Sequence, residues 1–96
     1  MSSNVVVNCE VTDPVRYDQC KPLAAAAIAQ HGGRYLARGG TTAVLEGDWQ
    51  PKRVVILEFT TLAAAKDFYE SPEYRAARAL RAGAVTMGVI AVEGIA

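Results

Sequence analysis

Chemistry-bearing side chains crowd one segment of this chain, His31-Gly-Gly-Arg-Tyr-Leu-Ala-Arg-Gly-Gly40, followed by Leu45-Glu-Gly-Asp-Trp49. His31 is the only histidine. Imidazole ordinarily titrates near neutrality, which makes His31 the catalytic candidate for proton transfer. It also falls at the predicted end of a helix, where the macrodipole and the last carbonyls favour a cation, so capping accounts for it as well. Arg34 and Arg38 share one face of a strand expected over residues 34–38, and two guanidinium forks on one face can hold a carboxylate or phosphate. Ion pairing with Glu46, Asp48 or Glu58 would use the same geometry. On the ligand-binding reading, Arg34 and Arg38 converge on one concave site. Asp48 and Trp49 then close its mouth, with the indole as a flat apolar wall, and Tyr17 adds a hydroxyl at the rim.

Other chemistries lack their residues. There is no Walker loop, no GxGxxG after a strand, no GxSxG elbow and no paired carboxylates at a cleft-like spacing. A lone histidine without a His/Cys cluster makes no usual zinc site, so neither a metal nor a cofactor is expected. Cys9 and Cys20 lie on different predicted elements and form no CxxC motif; they are expected as free thiols in a reducing cytoplasm. Arg75, Arg78 and Arg81 step along the last predicted helix with no acid three or four residues away. Solvent, an acidic loop of a partner or an anionic ligand would have to balance them.

The elements that must position these groups follow from patterning. Ninety-six residues with 51% hydrophobic and 21% charged content suit one ordinary globular domain over residues 1–96. A β-branched run over 5–12 predicts the first strand, with Val5, Val7, Cys9 and Val11 on one side. Asp13-Pro14 starts a helix as N-cap and first helical residue, running to about Gln30 with a kink expected at Pro22. Gly32-Gly33 ends it. The second strand is expected to bulge at Gly39-Gly40 and resume over 42–45, before a loop over 46–52. Arg53–Phe59 is the strongest strand, alternating Val55, Leu57 and Phe59 with Val54, Ile56 and Glu58. Thr61 caps a helix to about Tyr69, Ser71-Pro72 restarts it to about Ala82, and a last strand covers 85–93.

The order βαββαβ, with right-handed crossovers, predicts an α+β, ferredoxin-like fold: a four-stranded antiparallel sheet with two helices on one face. The bare face would carry Val6, Val54 and Ile56, with Met87 and Val89, among Asn8, Glu10 and Glu58. An apolar patch of that kind on a small domain is expected to be covered by a second copy, making a homodimer with Val6, Asn8, Val54, Ile56 and Glu58 at the interface. Ten basic and ten acidic residues cancel, leaving no electrostatic footprint for nucleic acid or an anionic membrane. The central strands also lack the exposed aromatics with which ferredoxin-like domains stack RNA bases. Apolar runs fall far short of a transmembrane span, and the N-terminus has no basic leader, so a cytoplasmic protein is expected.

Taken together, Tyr17-Asp18, the block from His31 to Gly40, Leu45-Glu-Gly-Asp-Trp49, Arg53–Phe59, Phe68-Tyr-Glu-Ser-Pro-Glu-Tyr-Arg75 and Val92-Glu-Gly94 resemble the bacterial family called domain of unknown function 1330. The resemblance covers nearly the whole chain, which departs from the usual pattern at Cys20 and Pro22. It implies a dimeric α+β barrel, related in fold to antibiotic-biosynthesis monooxygenases, muconolactone isomerase and chlorite dismutase, and it implies no particular reaction. By fold analogy, a small anionic or aromatic metabolite between sheet and helices would meet cofactor-free isomerase or monooxygenase chemistry. The alternative is a non-catalytic binding or stress-related dimer.

Overall fold

A computed structural model describes residues Met1–Ala96. The elements run β1 (Ser3–Val11), α1 (Pro14–Gln30), β2 (Arg34–Arg38), β3 (Arg53–Phe59), α2 (Leu62–Glu70), α3 (Pro72–Arg81) and β4 (Val85–Glu93). The sheet is antiparallel in the order β2-β3-β1-β4. The expected second helix is thus two helices, divided at the Ser71-Pro72 step. Ser71 makes that division: its buried hydroxyl donates to the Phe68 carbonyl at 2.7 Å and accepts from the Tyr74 N–H at 3.2 Å, closing α2 and capping α3 at once.

Alternation in β1 and β3 decides where the core sits. Val5, Val7, Cys9, Val55, Leu57 and Phe59 are buried against Ala27 and Ile28 of α1, Ala65 and Phe68 of α2, and Tyr74 and Ala77 of α3. All three helices therefore cover the same face of the sheet. Principal extents of 34 × 31 × 16 Å describe a thin slab, one sheet and one helical layer deep.

The other face is open. Register places Ile90 beside Val6 and Val92 beside Asn4, while Met87 and Val89 sit beside Cys9 and Val7 and pack on the core. This corrects the expected phase of β4: the open face carries Ile90 and Val92, which are 64% and 49% exposed, in place of Met87 and Val89. Val6, Asn8, Val54, Ile56 and Glu58 occupy the open side as expected, each only partly covered.

Local chemistry explains the element ends. Asp13 accepts from the Arg16 N–H at 3.2 Å, and Pro14 opens α1 without needing a hydrogen bond there. The helix continues through Pro22 without ending, because Pro22 and Asp18, whose carbonyl loses its helical partner, are both exposed to water. Gly32 takes φ +74° just past the helix, where its flexibility is needed. Arg16 closes the end of α3 by donating to the Leu80 and Ala82 carbonyls at 3.3 and 2.7 Å. No helix is long and apolar enough to cross a membrane.

Two expectations for β2 are corrected. The strand ends at Arg38 and does not resume over 42–45, which belong to an exposed loop. The irregularity lies between Tyr35 and Ala37, with Leu36 as the extra residue, and not at Gly39-Gly40. Gly39 instead makes the exit turn at φ +71°, its N–H donating to the Val54 carbonyl at 2.9 Å.

Candidate functional site

The displaced bulge separates the two arginines that the sequence places together. Arg34 lies opposite Glu58 on the open face, and Tyr35 lies opposite Leu57 on the helix face. Leu36 then breaks the alternation, so Ala37 pairs with Ile56 on the open side and Arg38 with Val55 on the helix side. Arg34 and Arg38 therefore do not converge, and strand rise sets their Cα atoms about 13 Å apart. Arg34 is engaged with Glu58 through Nε at 2.8 Å and through its terminal nitrogen at 2.7 Å.

Arg38 enters a different setting. A partly open cavity of about 60 Å³ lies between the helix face of the sheet, α1 and α3. Its walls are largely apolar, including Val7, Ile28, Val55, Leu57, Phe68 and Met87. Its polar groups are Tyr17, Cys20 and Lys21 from α1, Tyr35 and Arg38 from β2, Arg53 from β3, and Tyr74 and Arg81 from α3. No aspartate, glutamate or histidine lines it.

Each arginine of the cavity stands over a tyrosine of the same cavity. Arg38 lies 4.4 Å from the Tyr35 ring centroid, Arg53 5.8 Å from that of Tyr17, and Arg81 5.8 Å from that of Tyr74. Arg81 also donates to the Tyr74 hydroxyl at 3.3 Å. Of the cationic lining residues, only Lys21 has a carboxylate partner, Asp18 at 3.0 Å. Arg53 carries a buried Nε with no hydrogen-bond partner, an arrangement that leaves a strong donor unused.

Burial sets the protonation of the neutral groups. Desolvation pushes the Tyr17 phenol up, helped by the neighbouring Cys9, whose sulfur lies 3.9 Å from the hydroxyl; the Arg53 guanidinium opposes without cancelling it. Tyr35 rises for the same main reason, with Arg38 opposing. Burial likewise pushes up the Cys20 thiol, against the pull of Arg81 and Lys21. At neutral pH these groups keep their protons and act as donors.

The remaining candidates lie elsewhere. His31 sits at the end of α1, where its backbone N–H bonds the last turn, its ring meets Phe68 edge-on and its Nε2 is 3.9 Å from a Glu73 carboxylate oxygen; it does not line the cavity. Asp48 and Trp49 are exposed in the 39–52 loop, and Trp49 lines shallow grooves with Val54 and with Asn8 and Gly88 on the open side. Only Tyr17 and Arg38 of the expected ligand-binding set reach the cavity. Arg75 is balanced by Glu70 at 3.3 Å, five residues back across the α2–α3 division. Arg53, with Cys20, Lys21, Tyr35 and Tyr74, is a polar lining residue that sequence reasoning did not place in this site, whereas for Arg81 an anionic ligand is only one of several expected partners. Arg53 is in phase with Val55, Leu57 and Phe59, and Arg81 follows Tyr74 and Ala77 at helical spacing, so the signal was present. No group of three or more histidine, cysteine or acidic side chains stands where it could hold a metal ion.

Residues 3–95 match the family described as Domain of unknown function (DUF1330). The chain belongs to this family. Similar solved structures share the DUF1330 chain's fold at low identity. A protein of unknown function from Rhodopseudomonas palustris has a TM-score of 0.78 at 19% identity, over 99% of this chain and 83% of its own. SnoaB, a cofactor-independent oxygenase from Streptomyces nogalater, has a TM-score of 0.69 at 17% identity, over 99% and 94%. A dimeric ferredoxin-like protein of unknown function from Thermobifida fusca has a TM-score of 0.67 at 16% identity, over 98% and 92%. No curated protein matches the chain.

Proposed function

We propose that this protein is a homodimer that binds a small organic anion in the cavity between its sheet and helices. One observation carries the ligand reading: Arg38, Arg53 and Arg81 face that cavity with tyrosine rings behind them and no carboxylate to neutralise them. Arg53 and Arg81 are half-buried, where cations are ordinarily paired, and Arg38 stands exposed beside them; a bound anion would supply the missing partner. The apolar walls suit a hydrocarbon or aromatic body attached to that charge. Arg34, paired with Glu58, and His31, Asp48 and Trp49, which do not line the cavity, are left out of this reading. The dimeric neighbours and the bare face built from Val6, Ile56, Ile90 and Val92 support pairing through the open side of the sheet.

Cofactor-independent oxygenation, the activity named for SnoaB, is the first reaction to assay. A second reading, a structural dimer without a ligand, is favoured by the size of the cavity: about 60 Å³ is well under the several hundred that small-molecule sites usually enclose. A ligand of ordinary size would need the cavity walls to move apart.

Benzoate decides between the two readings. It should raise the melting temperature of the wild type beyond chloride at matched ionic strength, through preferential binding to the folded state. Arg53→Met and Arg38→Met should lose that gain, and Arg34→Met should keep it. A gain that is absent, or equal in all four proteins, leaves the structural dimer standing. Separately, Ile56→Asp should convert the dimer to a folded monomer in sedimentation, because it places a charge in the apolar contact. A wild type that is already monomeric at micromolar concentration ends the dimer proposal.

A further inference from the structure

Resting on the anion-binding reading, we infer that the cavity selects a conjugated hydroxy compound, an acidic phenol or enol, and holds it as its anion while the proton leaves to solvent. Three arginines and three tyrosines line the cavity from β2, β3, α1 and α3. Such donors stabilise a planar oxyanion in the way that fixed N–H and O–H groups stabilise developing negative charge elsewhere. The rings of Tyr17, Tyr35, Tyr74 and Phe68 offer flat apolar surfaces for a conjugated body.

What the cavity lacks defines the class further. A general base must reach the proton it removes, and His31 and every carboxylate are absent from the lining. The charged and titratable groups that face the space are few. Lys21 is an ammonium held by Asp18, and Arg38, Arg53 and Arg81 carry fixed positive charge. Tyr17, Tyr35 and Cys20 are kept protonated by burial, Tyr74 is hydrogen-bonded by Arg81, and Cys9 lies behind Tyr17. No carboxylate or imidazole thus faces the ligand to take its proton. The O–H bond of the ligand therefore breaks with its electron pair staying on oxygen and its proton passing to water. Only a hydroxyl that is already rather acidic can do this, which excludes simple alcohols and favours phenols and enols bearing electron-withdrawing groups. The anion gains from the arginines and its neutral acid does not, so the bound compound is a stronger acid than the free one.

The probe is 4-nitrophenol, whose ionised form alone absorbs visible light. In a pH titration with saturating wild-type protein, its ionisation midpoint should fall by about one unit or more, a tenfold gain in acidity. Arg53→Met should reduce that fall. The methyl ether 4-nitroanisole, which cannot ionise, should bind at least about tenfold more weakly than the nitrophenolate. A midpoint that stays or rises, or an ether that binds equally well, overturns the inference. So does a protein that binds benzoate and ignores nitrophenol, and in that case the anion-binding reading survives. Failure of both benzoate and nitrophenol to bind overturns both.

Discussion

On the open side of the sheet Arg34 meets Glu58 at 2.7 Å, whereas on the helix side Arg38, Arg53 and Arg81 meet tyrosine rings and no carboxylate. The two sides handle positive charge in opposite ways. On the open side, charge is cancelled within the chain and the surface is completed with Val6, Ile56, Ile90 and Val92, a composition suited to contact with another protein surface. On the helix side, Arg53 and Arg81 are half-buried and Arg38 is exposed, and none of the three has a carboxylate partner beside the largely apolar cavity. The lesson is that paired and unpaired arginines mark the two sides of one small sheet, the open side with its cation neutralised and the helix side with its cations left to a cavity.

The strongest way to test that division is to remove apolar bulk from each side. Phe59 is 1% exposed under Phe68 on the helix side, and Phe59→Ala should cost ~3–5 kcal/mol in chemical denaturation. Ile90→Ala on the open side should cost less than about 0.5 kcal/mol when measured in a protein already made monomeric by Ile56→Asp. Similar losses at the two positions would erase the distinction between core and contact face.

A smaller effect separates neighbouring glycines. Gly39 has φ +71°, and a methyl group there would run into the Arg53 guanidinium, while Gly40 has ordinary backbone and open space around it. Gly39→Ala should therefore lower stability by about 1 kcal/mol or more and disturb Arg53; Gly40→Ala should leave the melting temperature unchanged.

The smallest effect is alkaline. Tyr17, Tyr35 and Cys20 hold their protons more tightly folded than unfolded, since burial raises all three. Their contribution is present in full below the unfolded values, about 9 for the thiol and 10 for the phenols, and is lost as pH rises past them. Melting temperature should fall above about pH 9, and Tyr17→Phe should make that fall shallower. An unchanged slope in Tyr17→Phe would mean that the Tyr17 hydroxyl does not contribute to it.

The fold was legible because its signals are local and redundant. Alternation in Val5, Val7 and Cys9 and again in Val55, Leu57 and Phe59 marks the central strands, and Asp13-Pro14, Thr61 and Ser71-Pro72 mark the helix starts. The site was less legible because its geometry depends on phase. No residue type announces a bulge at Leu36, so alternation alone puts Arg38 on the face of Arg34. The last strand is apolar in both phases, Met87 and Val89 on one and Ile90 and Val92 on the other, and only its register with β1 decides which faces the helices. Arg53 and Arg81 follow core-facing periodicities, but a charged residue in such a pattern is easily assigned to the strand start or the helix end.

The extra residue in β2 acts as a change of parity. A regular strand assigns positions an even number apart to the same side, so a basic pair spaced by four belongs to one surface. Leu36 takes one place out of that count, and everything after it is transferred to the opposite side. Regular pairing that took Leu36 into the ladder opposite Ile56 would keep the even count and bring Arg38 opposite Val54, giving the open side an uncompensated charge while taking one from the cavity. A single position thus decides which side of the sheet one cation joins, withholding it from the open side and giving it to the cavity.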